Sequence, residues 1–142
     1  MHMNSLCYIN GEITSTSEGM IGISDLGLQR GYGVFDFGRT YNGKLFHFEE
    51  NIERFRRSAS SLHLAPPVSD QEILEIAKQL IKGSGLIKPA VRLILTGGYS
   101  PTLEEPNFIV ISRLFNILCQ RSFACPQSFI ASSSLPAKKI DN

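Results

Sequence analysis

The sequence predicts an α+β domain in which an antiparallel sheet packs against two helices. Two observations predict it. Asn-Gly pairs at Asn10-Gly11 and Asn42-Gly43 each interrupt a run of strand-forming residues, and such a pair signals a two-residue hairpin turn. Two stretches with apolar residues at helical spacing follow, over residues 48–62 and 70–83.

Each element has its own local signal. Cys7 to Thr14 forms the first hairpin, and Val34 to Tyr41 with Lys44 to His47 forms the second. In the first helix Ile52, Phe55, Ala59 and Leu62 share a face, and Glu49 and Glu50 occupy the first turn, where negative charge suits the helix dipole. Pro66-Pro67 prevents its continuation. Ser69 then caps the second helix, with Glu72 completing a capping box. Ile73, Ile76, Ala77, Leu80 and Ile81 make its buried stripe, and Gly83 and Gly85 end it. Ala90 to Thr96 and Phe108 to Arg113 read as strands, joined through a loop at residues 97–101. Clear periodicity is then lost. Residues 1–115 therefore read as the α+β domain, 116–126 as a connector and 127–142 as the start of a further domain.

Composition narrows the function classes. A chain of 142 residues is long enough for one domain with a sizeable core. A net charge of +1 gives no support for nucleic-acid binding. No apolar run approaches the 18 residues of a membrane span. Cys7, Cys119 and Cys125 are odd in number and lack metal-ligand spacing, so reduced thiols and a cytoplasmic location are expected. Residues 1–4 begin no apolar secretory segment.

Few polar groups are arranged for chemistry. Asn51, Arg54 and Ser58 form a row bordering the apolar stripe of the first helix. An arginine there suits bidentate phosphate binding, or an ion pair with Glu50 at i−4. Gly27, Gly31 and Gly33 do not spell a dinucleotide fingerprint, and no strand-turn-helix context surrounds them. Taken alone, Phe35 reads as core and Arg39 as a strand-surface charge. Arg92 is a further strand arginine. His47 and His63 are isolated, and nothing in the sequence pairs Asp25 with Asp36.

The run from Ser24 through Gly27, Arg30-Gly31-Tyr32-Gly33-Val34-Phe35-Asp36 and Arg39 to Tyr41-Asn42-Gly43 resembles the N-terminal signature of the fold-type IV pyridoxal-phosphate enzymes. These include the branched-chain and D-amino-acid aminotransferases and aminodeoxychorismate lyase. Glu50-Asn51-Ile52-Glu53-Arg54-Phe55-Arg56-Arg57-Ser58-Ala59 resembles the family motif E-H-x-x-R-[LF]-x-x-S-A, with Asn51 in place of the histidine. Pro136-Ala137-Lys138-Lys139-Ile140-Asp141-Asn142 resembles P-x-x-K-[TS]-x-N.

The resemblance implies a homodimeric enzyme that uses pyridoxal 5'-phosphate to move an amino group between an amino acid and a 2-oxo acid. The lyase reaction shares the signature and stands as the alternative, as does a non-catalytic remnant. By the same resemblance Arg54 grips the cofactor phosphate, and Lys139 is catalytic and carries the cofactor as a Schiff base, with Lys138 the runner-up. Phe35 and Arg39 become substrate-side residues. Family members continue for roughly as much chain again, so the second domain is expected to be truncated here. Membrane and nucleic-acid partners are not expected.

Overall fold

The computed structural model describes residues 5–114. The expected connector, the expected start of a second domain, Lys138 and Lys139 all lie outside these residues. Both hairpins form. β1 (Leu6–Ile9) pairs with β2 (Glu12–Ser15), and β3 (Gly33–Tyr41) pairs with β4 (Lys44–Leu45). Asn10 and Gly11 both have positive φ, 48° and 109°, as do Asn42 and Gly43, 49° and 75°. That backbone matches the twist of the flanking strands. β4 is shorter than expected because His47 adopts the left-handed region and starts the next helix.

The first long helix, α2 (Phe48–Ser61), and the second, α3 (Asp70–Ser84), fall within a residue of expectation. The capping box is present: Ser69 Oγ accepts from the Glu72 amide, and the Glu72 carboxylate accepts from the Ser69 amide. Of the two glycines expected to end α3, Gly85 does so, in the left-handed conformation.

β5 (Pro89–Thr96) and β6 (Asn107–Leu114) complete a six-stranded antiparallel sheet in the order β2-β1-β6-β5-β3-β4. Strand alternation divides its residues between two faces. Leu93 lies opposite Val110 and Asp36, and Leu95 opposite Phe108 and Val34. This face packs against Phe48, Ile52, Phe55, Ala59, Ile73, Ala77 and Leu80 of the two helices. Gly38 has to be glycine there, since a Cβ would come within 2.5 Å of the Phe48 ring. Phe35, Phe37, Arg39, Arg92, Ile94 and Ile109 occupy the other face, which α2 and α3 leave uncovered, although Ile109 is buried there.

A short helix not expected from the sequence, α1 (Leu26–Arg30), precedes β3. The glycine-rich run thus forms a helix that leads into a strand, not the strand-turn-helix order of a dinucleotide fingerprint, in line with the sequence reading. Asp25 caps α1 through the Gly27 and Leu28 amides, and Gly31 ends it at φ 64°. Five residues are too few to hold a helix alone. Tertiary bonds hold this one. The Asp25 carboxylate, 1% exposed, also accepts from Thr96 Oγ1 at 2.5 Å and Asn107 Nδ2 at 2.6 Å. Asn107 Oδ1 in turn accepts from Asn10 Nδ2 at 2.8 Å.

Candidate functional site

β3 and α2 bring together three polar residues. Asp36 projects from β3 toward the helix side and is 6% exposed. Arg54 meets it with two parallel hydrogen bonds, Nε to Oδ2 at 2.8 Å and Nη2 to Oδ1 at 2.7 Å. Asn51, one helical turn before Arg54, donates from Nδ2 to Asp36 Oδ1 and to the Phe37 carbonyl, both at 3.0 Å. The Phe37 amide donates to Asp36 Oδ1 at 2.7 Å.

Burial alone pushes the Asp36 carboxyl up, but the bonds from Arg54, Asn51 and the Phe37 amide, with the Arg54 charge, hold it below the usual carboxylate range. The same hydrogen bond and the Asp36 charge raise Arg54 further above its ordinary value. Asp36 is ionised and Arg54 charged throughout the neutral range.

Of the expected row, Asn51 and Arg54 converge, and Ser58 is an exposed residue one turn on. The ion pair read between Arg54 and Glu50 is replaced by the one with Asp36. Strand alternation explains this, because it turns Asp36 away from Phe35 and Phe37 and toward α2. Only the side-on edge of the guanidinium is engaged. Its end-on edge, Nη1 with the second Nη2 hydrogen, makes no hydrogen bond among the described residues, and the side chain is 61% exposed. That edge fits the two acceptors of a phosphate. The residues described thus fit the phosphate end of a pyridoxal phosphate.

The uncovered face carries the expected substrate-side residues. Phe35 is 67% exposed, which excludes the core reading. Arg39 is half-buried on the same face. The structure adds Arg92, whose guanidinium lies 5.5 Å over the Phe35 ring in a cation–π geometry. Arg92 Nε is buried without a hydrogen-bond partner. A groove of about 390 Å³ adjoins this face, lined by Ile21, Leu28, Val34, Ile94, Thr96 and Ile109 among others. The sequence signal for Asp36 and Arg92 was their strand parity, which sets the face but not the partner. Among the described residues no cluster of His, Cys, Asp and Glu is arranged for a metal ion. No described helix is long and apolar enough to cross a membrane.

Comparison with known proteins bears directly on this arrangement. The family model for amino-transferase class IV matches residues 33–132, a stretch that contains β3, Asp36, Asn51 and Arg54. The chain belongs to the class IV aminotransferase family. A D-alanine aminotransferase of Staphylococcus aureus (strain N315) is 32% identical over 116 residues, covering 77% of this chain and 41% of that relative. A putative branched-chain-amino-acid aminotransferase of Methanocaldococcus jannaschii is 31% identical over 99 residues, covering 70% and 34%. The chain thus spans less than half the length of these class IV relatives.

Solved structures share the fold. The branched-chain amino acid aminotransferase from Escherichia coli superposes with a TM-score of 0.72 at 20% identity, over 79% of this chain and 41% of that one. A hypothetical aminotransferase from Mycobacterium tuberculosis in its PLP-bound form gives 0.69 at 24% identity, over 82% and 42%. The expected fold class, an α+β domain of the fold-type IV kind, is thereby established.

Proposed function

We propose that this chain is the N-terminal, phosphate-gripping part of a pyridoxal-phosphate aminotransferase that exchanges an amino group between an amino acid and a 2-oxo acid. The observation that carries this reading is the open end-on edge of Arg54, presented by Asp36 within the stretch matched by the class IV model. Pyridoxal phosphate supplies an electron sink at the substrate Cα when bound.

The chain's own residues have separate tasks. Arg54 binds the phosphate, and Asp36 orients Arg54. Phe35 supplies an apolar wall on the uncovered face. Arg39 and Arg92 place positive charge there, which favours the carboxylate common to amino and 2-oxo acids. Lys139 holds the cofactor covalently and moves the proton at the substrate Cα. The relatives named D-alanine aminotransferase make D-alanine the first donor to test.

The same reading includes a homodimer in the cytoplasm. Met20, Ile23, Leu28 and Phe35 are 84%, 78%, 68% and 67% exposed, apolar side chains that a partner subunit or further chain would cover in this reading. The free, buried Cys7 accords with a reducing compartment.

The test is amino transfer from D-alanine to a 2-oxo acid by the purified protein with added pyridoxal phosphate. Transfer that disappears in Lys139→Ala supports the reading. Elimination without transfer would favour the lyase alternative, and no reaction with no cofactor uptake would favour a non-catalytic chain.

A further inference from the structure

Asn51 stands where the family motif has a histidine, and the structure gives it a defined task. β3 pairs with β5 along one edge, but on its other edge β4 reaches only Thr40 and Tyr41. The backbone of Phe37 therefore faces outward at an open strand edge, as the outward Arg39 carbonyl, which accepts from the Phe46 amide, also indicates. Two side chains close that edge. Asp36 takes the Phe37 amide, and Asn51 donates to the Phe37 carbonyl.

The second hydrogen of the same Asn51 nitrogen goes to Asp36 Oδ1, the atom that also receives Arg54 Nη2. Both targets are acceptors, so the amide nitrogen must face them and the amide oxygen must point away. Asn51 is thus a bridge between the rigid edge of β3 and the carboxylate that aims Arg54. It carries no net charge, so it fixes the pair without adding a charge to the site, and its hydrogen bond favours the ionised form of Asp36.

We propose that Asn51 is a positioning residue that holds the Asp36–Arg54 pair in register for a phosphate on the open edge of Arg54. This rests on the reading of Arg54 as the phosphate-gripping residue. Removing the bridge leaves both charges in place but lets the pair swing from the strand edge. The affinity lost is the cost of re-ordering one long side chain, about three- to tenfold.

Two measurements on the full chain test this. The first needs no ligand: the exchange of the Arg54 Nε hydrogen with water, followed by NMR in the wild type, Asn51→Ala and Asn51→Asp. Both variants are expected to exchange several-fold faster. Asn51→Asp puts a second carboxylate against Asp36 while adding an acid to the first turns of α2, where it suits the helix dipole. A cooperative thermal transition in that variant, with faster exchange, separates positioning from folding.

The second measurement is the dissociation constant for pyridoxal 5'-phosphate, with pyridoxal as the ligand lacking the phosphate. Asn51→Ala is expected to bind pyridoxal 5'-phosphate about three- to tenfold more weakly. Its affinity for pyridoxal should be unchanged, and in an Arg54→Ala background Asn51→Ala should have no further effect. Unaltered Nε exchange in Asn51→Ala would overturn the proposal. So would wild-type cofactor affinity in Asn51→Ala where Arg54→Ala has lost it. Wild-type affinity in Arg54→Ala would instead overturn the phosphate reading of Arg54, and the proposal with it.

Discussion

Arg54 and Asp36 lie 18 residues apart in sequence, on a helix and a strand, and meet through two parallel hydrogen bonds of 2.8 and 2.7 Å. The carboxylate is nearly buried and the guanidinium is mostly exposed. This asymmetry sets the roles. Asp36 is the fixed member and Arg54 the presented one.

The pair makes stability depend on acid. The folded-state pKa of Asp36 is depressed, so its contribution is fully present above the unfolded value of about 3.9. It is lost as pH falls from there through the lower folded value. Asp36→Asn should lower stability by about 1–2 kcal/mol at pH 7. Denaturant melts of both proteins from pH 7 to pH 3 should show the difference shrinking below about pH 4. A difference that stays constant across that range would mean that the Asp36 charge is not what stabilises.

Asp25 is the more costly residue to lose. Asp25→Ala leaves the Thr96 hydroxyl, the Asn107 amide and two α1 backbone amides without their shared acceptor. A buried group left unsatisfied costs about 1–3 kcal/mol, so a loss of roughly 3 kcal/mol or more is expected. Hydrogen exchange should show the Gly27 and Leu28 amides losing protection first. Full protection in the variant would show that α1 does not depend on this carboxylate.

The hydrophobic core should behave conventionally. Phe55 is fully buried, with its ring 6.2 Å from that of Phe108. Phe55→Ala should cost about 3–5 kcal/mol, measured by urea melts. A cost under about 1 kcal/mol would mean that α2 does not pack on the sheet as described.

The choice between neighbouring lysines is also testable. Lys139→Ala should abolish covalent attachment of the cofactor, whereas Lys138→Ala should keep it. The spacing of Pro136 and Asn142 puts Lys139 at the lysine position of the motif P-x-x-K-[TS]-x-N that this stretch resembles. Borohydride reduction and peptide mass mapping locate the modified residue. A pyridoxyl group on Lys138 would reverse the assignment.

Elements specified locally were legible in the sequence. The Asn-Gly turns, the Ser69–Glu72 box and the apolar stripes of α2 and α3 act over a few residues, and each sits where its signal placed it. α1 was not legible because its cap is completed by Thr96 and Asn107, more than 70 residues away. Gly83 looked like a stop but lies inside α3, where a Cβ would come within 2.8 Å of Leu6. At the candidate site, helical spacing aligned Asn51 with Arg54, but only the crossing of β3 and α2 supplies Asp36. Phe35 is apolar on a strand, yet its face is the uncovered one, so hydrophobicity alone pointed the wrong way.

The proposed function turns on Arg54 gripping the cofactor through its phosphate. It is tested most directly by the affinities of wild type and Arg54→Ala for pyridoxal 5'-phosphate and for pyridoxal. Loss of a charge-assisted bidentate contact is worth about 2–3 kcal/mol, or roughly thirty- to a hundred-and-fiftyfold. That loss is expected for pyridoxal 5'-phosphate, with no change for pyridoxal. Equal affinity of the two proteins for pyridoxal 5'-phosphate would contradict it.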